Sequence, residues 1–193
     1  NRINEIKMVT SNSHNIPSLV IFDLFGTLVK YGVMHHPFRQ LLKWAKDNGR
    51  QPRPDDARVL MTINGDVRVL ANALGIDAPD VLIEQIQLQI QEELDSLSLF
   101  DDVLPTLNAL CTQKIPIAVC SNLAFPYGKA INLLLKEYPL ICGLSYETGF
   151  IKPEAGMYHT VVCQAGIPPE KGLCVVDTGI ADYDGPLQYG MHA

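Results

Sequence analysis

The sequence predicts a doubly wound parallel α/β sheet interrupted by an inserted lobe of helices. Residues Leu19 to Phe22 form a short apolar run that ends abruptly on Asp23, as expected of a strand covered on both faces in a parallel sheet. From Val103 onward, strand and helix patterns alternate, as in consecutive βαβ units. Between these two regions, residues 31–99 show helical spacing and no strand. The expected organisation is an α/β core of residues 18–30 and 100–193, a helical cap over 31–99 and an aperiodic lead-in over 1–17.

Each element follows from local chemistry. Phe38, Leu41, Leu42 and Ala45 recur at helical spacing up to the stop at Asn48-Gly49. A second helix carries Val59, Leu60, Ile63, Val67 and Leu70 on one side and stops at Gly75. A third starts at Ala78-Pro79-Asp80 and carries Leu82, Ile86, Ile90 and Leu94. Asp101, Asp102 and Pro105 suit the first turn of the next helix. A strand over Ile115 to Cys120 ends on Ser121-Asn122, a helix runs from about Tyr127 to Glu137, and a strand covers Leu140 to Tyr146. The loop to Lys152-Pro153 leads into a helix over 154–165, halted by Gly166 and Pro168-Pro169. Leu173 to Val176 form a strand ending on Asp177, and a short helix closes at Gly190, with no strand expected after it.

The chain of 193 residues is 47% apolar and 19% charged, which suits an ordinary globular protein. A net charge of −6 without a basic run argues against nucleic acid or an anionic membrane as partner. No apolar stretch is long enough to span a bilayer, and the polar segment Asn1 to Asn15 is unlike a signal peptide. Five cysteines without CxxC spacing read as buried free thiols in a reducing, cytoplasmic compartment rather than as a zinc site.

Chemistry gathers at one rim. In open α/β sheets, ligands bind outside the carboxyl ends of the strands. Asp23, Ser121, Lys152 and Asp177 all fall there, with Asp182 shortly after. Each alone has a plain reading: a turn-capping aspartate, a Ser-Asn turn, a solvated loop lysine.

Together and in this order they resemble the haloacid dehalogenase-like (HAD) hydrolase superfamily, with its Rossmann-like core and cap. Asp23-Leu-Phe-Gly-Thr27 matches the first motif and Cys120-Ser121-Asn122 the second. Lys152-Pro153, with Tyr158 following, matches the third, and Val176-Asp177-Thr-Gly-Ile-Ala-Asp182 the fourth. The resemblance implies that Asp23 is a nucleophile forming a covalent intermediate. It implies that Ser121 and nearby amides hold an oxyanion and that Lys152 offsets clustered negative charge. Thr27, Ser121 and Asn122 become the implied contacts to a small soluble substrate. Mg²⁺ is the implied cofactor, held by Asp23, the carbonyl of Phe25 and Asp177, with Asp182 holding a metal-bound water or Lys152.

Two positions depart from the pattern. Phosphatases of the superfamily carry a second aspartate two residues after the nucleophile as general acid and base; here that residue is Phe25. Val176 stands where glycine usually precedes the acid. Phe25 resembles the aromatic residue of the haloacid dehalogenases, which work without metal, whereas Asp177 and Asp182 resemble the Mg²⁺ enzymes. Three readings therefore stand: a Mg²⁺-dependent phosphatase-type hydrolase first, then a 2-haloacid dehalogenase, then a HAD fold kept for binding or regulation.

Overall fold

The computed structural model describes residues 16–175 and 183–193. The chain opens on β1 (Leu19–Phe22), every residue of which is buried. After a turn at Gly26 comes β2 (Val29–Lys30). Four helices follow: α1 (Pro37–Asp47), α2 (Asp56–Thr62), α3 (Val67–Ala73) and α4 (Asp80–Asp95). The short strand β3 (Ser98–Leu99) then returns antiparallel to β2. Next are α5 (Val103–Thr112), β4 (Ile117–Ser121), a 3₁₀ turn (Phe125–Gly128) and α6 (Lys129–Leu134). The remainder is β5 (Leu140–Leu144), α7 (Ser145–Thr148), α8 (Ala155–Ala165), β6 (Gly172–Val175) and α9 (Gly185–Gln188).

The main sheet has the order β5-β4-β1-β6, and all its pairings are parallel. β1 therefore lies inside the sheet, its two faces in two different apolar layers. Val20 and Phe22 join a layer that continues into the cap helices, while Leu19 and Ile21 pack with Met157, Tyr158 and Val161 of α8. That alternation by two residues is what a strand's pleat imposes. The result is a parallel α/β core of Rossmann-like form carrying a helical cap.

The structure departs from the sequence reading in six places. The expected second cap helix is two, because Asn64-Gly65-Asp66 interrupts it and the Asp66 carboxylate caps α3 by accepting from Val69 N at 3.0 Å. Ser98–Leu99, at the end of a cap expected to hold no strand, are one, since they zip against β2 to form the two-stranded connection between core and cap. Helix residues expected from Tyr127 begin instead as a 3₁₀ turn, and the strand expected to reach Tyr146 stops at Leu144. Beyond Gly190, where no strand was expected, His192 N donates to Gly172 O at 2.9 Å, and Cys174 N donates to His192 O at 2.7 Å. This single bridge extends the sheet beside β6. The five thiols are free, but Cys111 and Cys163 are exposed, being on the outer faces of α5 and α8.

The link between core and cap is tied by one buried acid. Glu93 of α4 is only 2% exposed. Its Oε1 accepts from the backbone of His35 at 2.5 Å and of His36 at 3.0 Å, and its Oε2 accepts from the Tyr127 hydroxyl. Ser96 Oγ accepts from Val33 N at 2.9 Å on the same connection. A buried carboxylate is tolerated when donors surround it.

Candidate active site

β1 delivers Asp23 to the carboxyl edge of the sheet. The turn after it needs a left-handed backbone at Gly26 (φ 85°), a conformation open to glycine at little cost. Gly26 N donates to Val29 O at 2.8 Å, closing the turn. Thr27 within it is fully buried. Phe25 is half-buried and points its ring toward the cap, stacked on Tyr31 at 4.8 Å between centroids and edge-on to Tyr127 at 5.9 Å.

Lys152 Nζ lies 3.0 Å from Asp23 Oδ1. Both side chains are well covered, with relative exposures of 6% and 12%. The lysine is aimed by its backbone: Asn122 Nδ2 donates to Lys152 O at 3.1 Å, and Lys152 N donates to Asn122 Oδ1 at 2.7 Å. The carboxamide thus locks the loop holding the lysine to the loop after β4. That second loop is itself held by Ser145, whose Oγ accepts from Leu123 N at 2.9 Å and donates to Leu123 O at 3.1 Å. Ser121 ends β4 and is 2% exposed. On the far side of Lys152, Gly185 packs so tightly on Tyr158 and Pro153 that a Cβ there would sit 2.4 Å from the Tyr158 hydroxyl.

The fold therefore brings together Asp23, Lys152 and Asn122, with Ser121 at the end of the neighbouring strand. Asp177 and Asp182 lie outside the described residues. Asp23 Oδ1 is buried and, among the described residues, accepts no hydrogen bond beyond its ion pair. A sheltered carboxylate at this edge, paired with a single cation, suits a hard ion as well, since Mg²⁺ takes one or two carboxylates directly and keeps waters. Among the described residues no cluster of three or more His, Cys, Asp or Glu is arranged for a metal.

Beside this polar group opens a cleft of about 320 Å³ whose surface is almost wholly apolar. Phe25, Tyr31, Phe38, Leu60, Met61 and Tyr127 form most of its wall, and Asn122 marks where it meets the polar group. Burial, reinforced by the charge of Glu93, pushes the Tyr31 phenol above its ordinary value. Burial and the hydrogen bond to Glu93 do the same for Tyr127. Both therefore remain neutral. Sequence reading missed Tyr31, Tyr127, Ser145 and Glu93. One signal was available for Glu93, which continues the apolar spacing of Ile83, Ile86 and Ile90 along α4.

Comparison with protein families decides the assignment. A family model described as haloacid dehalogenase-like hydrolase matches residues 17–187. The chain belongs to this family. Similar solved structures cover most of the chain. A HAD family enzyme from Bacteroides thetaiotaomicron, an aspartate-to-alanine variant in complex with magnesium and inorganic phosphate, is 17% identical with a TM-score of 0.59, over 90% of this chain and 91% of that one. A HAD phosphatase from Thermococcus onnurineus is 19% identical with a TM-score of 0.58, over 90% and 83%. CbbY from Rhodobacter sphaeroides, in complex with phosphate, is 16% identical with a TM-score of 0.56, over 91% and 84%. At these identities the likeness is one of fold. A comparison with curated proteins gave no match.

Proposed function

We propose that this HAD-like hydrolase cleaves small phosphate-containing molecules through Asp23, with Mg²⁺ as cofactor. The observation that carries the reading is the Asp23–Lys152 pair at the edge of the central strand, 3.0 Å apart and sheltered from water. An Asp23 oxygen attacks phosphorus and the bond to the leaving oxygen breaks, its electron pair going to that oxygen. Water then attacks the phosphorus of the aspartyl phosphate, releasing phosphate and restoring the carboxylate. Lys152 offsets the negative charge gathering on the transferred group, which is worth most in a water-poor site. Asn122 is a positioning residue, acting through the Lys152 backbone, and Ser121 supplies a hydroxyl toward the phosphoryl oxygens. Asp23, the Phe25 carbonyl, Asp177 and Asp182 are the groups that would hold Mg²⁺, which when bound neutralises phosphoryl charge. Phe25 stands in the place of the general acid, so the leaving group departs without a proton from that position.

The apolar wall around Phe25 favours a second reading, displacement of halide from a 2-haloacid, since halide needs no proton either. A screen of phosphate esters, acyl phosphates and 2-haloacids, with and without Mg²⁺ and alongside Asp23→Asn, separates the two. Metal-dependent phosphate release lost in Asp23→Asn is the expected result. Metal-independent halide release would replace the proposal with the second reading.

A further inference from the structure

We infer that the cleft beside Phe25 takes the leaving group of the substrate and that this group is an aromatic ring, making the substrate an aryl phosphate. The inference rests on the phosphoryl-transfer reading and specifies it. The cleft begins at Phe25, two residues from Asp23, and at Asn122, which holds Lys152. Whatever fills it is therefore continuous with the reacting centre. Its volume of about 320 Å³ exceeds the roughly 150 Å³ of an engineered apolar cavity that binds benzene. A substituted or two-ring group fits.

The lining selects for a ring. Phe25 and Tyr31 are stacked at an interplanar angle of 13°, and Tyr127 stands edge-on to both. This arrangement offers the face and edge contacts that aromatic partners prefer. A cationic headgroup is disfavoured, although aromatic walls often receive one. The nearby carboxylate, Glu93, already accepts from two backbone amides and the Tyr127 hydroxyl. Arg39 borders the adjoining hollow with its own positive charge.

Leaving-group chemistry points the same way. Without an acid at Phe25, the departing oxygen must be stable as an anion. A phenol such as tyrosine ionises near pH 10, whereas water, a guide to alkoxides, has a pKa of about 15.7. The residue that removes the proton donor is thus the one that builds the wall for the group needing none.

The test is binding, measured by titration calorimetry on the full chain with Mg²⁺. The probes are inorganic phosphate and methyl-, hexyl- and phenylphosphonate. Phenylphosphonate is expected to bind at least about tenfold more tightly than methylphosphonate, the scale of discrimination an apolar pocket provides, and more tightly than the hexyl compound. Ala57→Trp, on an exposed position of α2 at the cleft's rim, should reduce the phenyl-to-methyl ratio to below about threefold. Equal binding of phenyl and methyl probes, or a ratio unchanged by Ala57→Trp, overturns the inference while leaving phosphoryl transfer standing. Hexyl binding as tightly as phenyl also overturns it, because the cleft would then be a general apolar slot. Failure of every phosphorus probe to bind overturns both.

Discussion

The two ends of the cleft are built on opposite plans. At the Asp23 end, two side chains tie one core loop to another by hydrogen bonds to its backbone: Asn122 clasps Lys152 and Ser145 clasps Leu123. At the Phe25 end, rings from the core and the cap meet by packing, with Tyr31 and Phe38 from the cap side against Phe25 and Tyr127. The difference separates two tasks. Charge must be aimed to within a fraction of an ångström, which hydrogen bonds between rigid loops do well. Recognition of an apolar group needs area and shape, which packing supplies.

The largest effects are expected at the aimed end. Asp23→Asn should lower turnover by on the order of 10⁴-fold or more, because the covalent route is lost. Lys152→Met should cost about 10²–10³-fold, the usual loss when one electrostatic stabiliser is removed. Steady-state kinetics on one phosphate ester checks both. An Asn122→Ala loss approaching that of Lys152→Met would show that aiming the lysine matters as much as its charge.

Phe25→Asp tests the boundary between the two ends. It should raise turnover of alkyl phosphates toward, but not up to, the 10²–10⁴-fold that general acid help provides, since the new carboxylate would stand among the packed rings of Tyr31 and Tyr127 rather than in a site built to aim it. Aryl phosphates should gain less and bind more weakly, having lost a ring from the wall. Parallel kinetics on the two ester classes measures the contrast. Equal gains would mean that Phe25 does not stand in the acid's place.

The aimed end was legible in the sequence because its groups sit at the ends of apolar strands, in a fixed order. Asp23 and Ser121 stand where a buried run stops, and Lys152 is marked by the Lys-Pro step that follows them in order. The packed end was not legible, because Tyr127 is far in sequence from Tyr31 and Phe38 and meets them only after the cap folds back. Ser145 escaped for another reason. It opens a helix of four residues, too short for a 3.6-residue period to show, directly after a strand. Ser98 and Leu99 were misread similarly, since two residues form β3 only by pairing with β2.

At the joint between the regions, Glu93→Ala should destabilise the protein without touching the reacting groups. It leaves the part-buried amides of His35 and His36 and the buried Tyr127 hydroxyl without their acceptor, a loss of about 2 kcal/mol. For a chain of this size that corresponds to a fall of about 4–8 °C in thermal midpoint. Differential scanning calorimetry provides the check, and an unchanged midpoint would deny Glu93 its role as the tie.

The smallest effect concerns how the cap is seated. Arg58 of α2 donates from Nε to Glu154 Oε1 and from Nη2 to Oε2, both at 3.0 Å, and also from Nη2 to Gly149 O at 3.1 Å. Glu154 Oε2 in turn accepts from Ile151 N at 3.1 Å, just before Lys152. The hydrogen bonds from Arg58 hold the Glu154 carboxyl below its ordinary 4.5. A depressed carboxyl contributes stability above the unfolded value and loses it as pH falls through the folded one. The clamp should therefore be intact at neutral pH and fail only in acid, below about that ordinary value. Both side chains are substantially exposed, so stability should hardly change in Glu154→Gln. What should change is the seating of the cap over the cleft, lowering kcat/KM by about two- to fivefold, far short of the 10²-fold that a displaced reacting group costs. The loss should be largest at low salt and neutral pH, and wild type and variant should converge in acid or at high salt. A difference that persists unchanged at high salt would assign the effect to packing around α2 rather than to the ion pair.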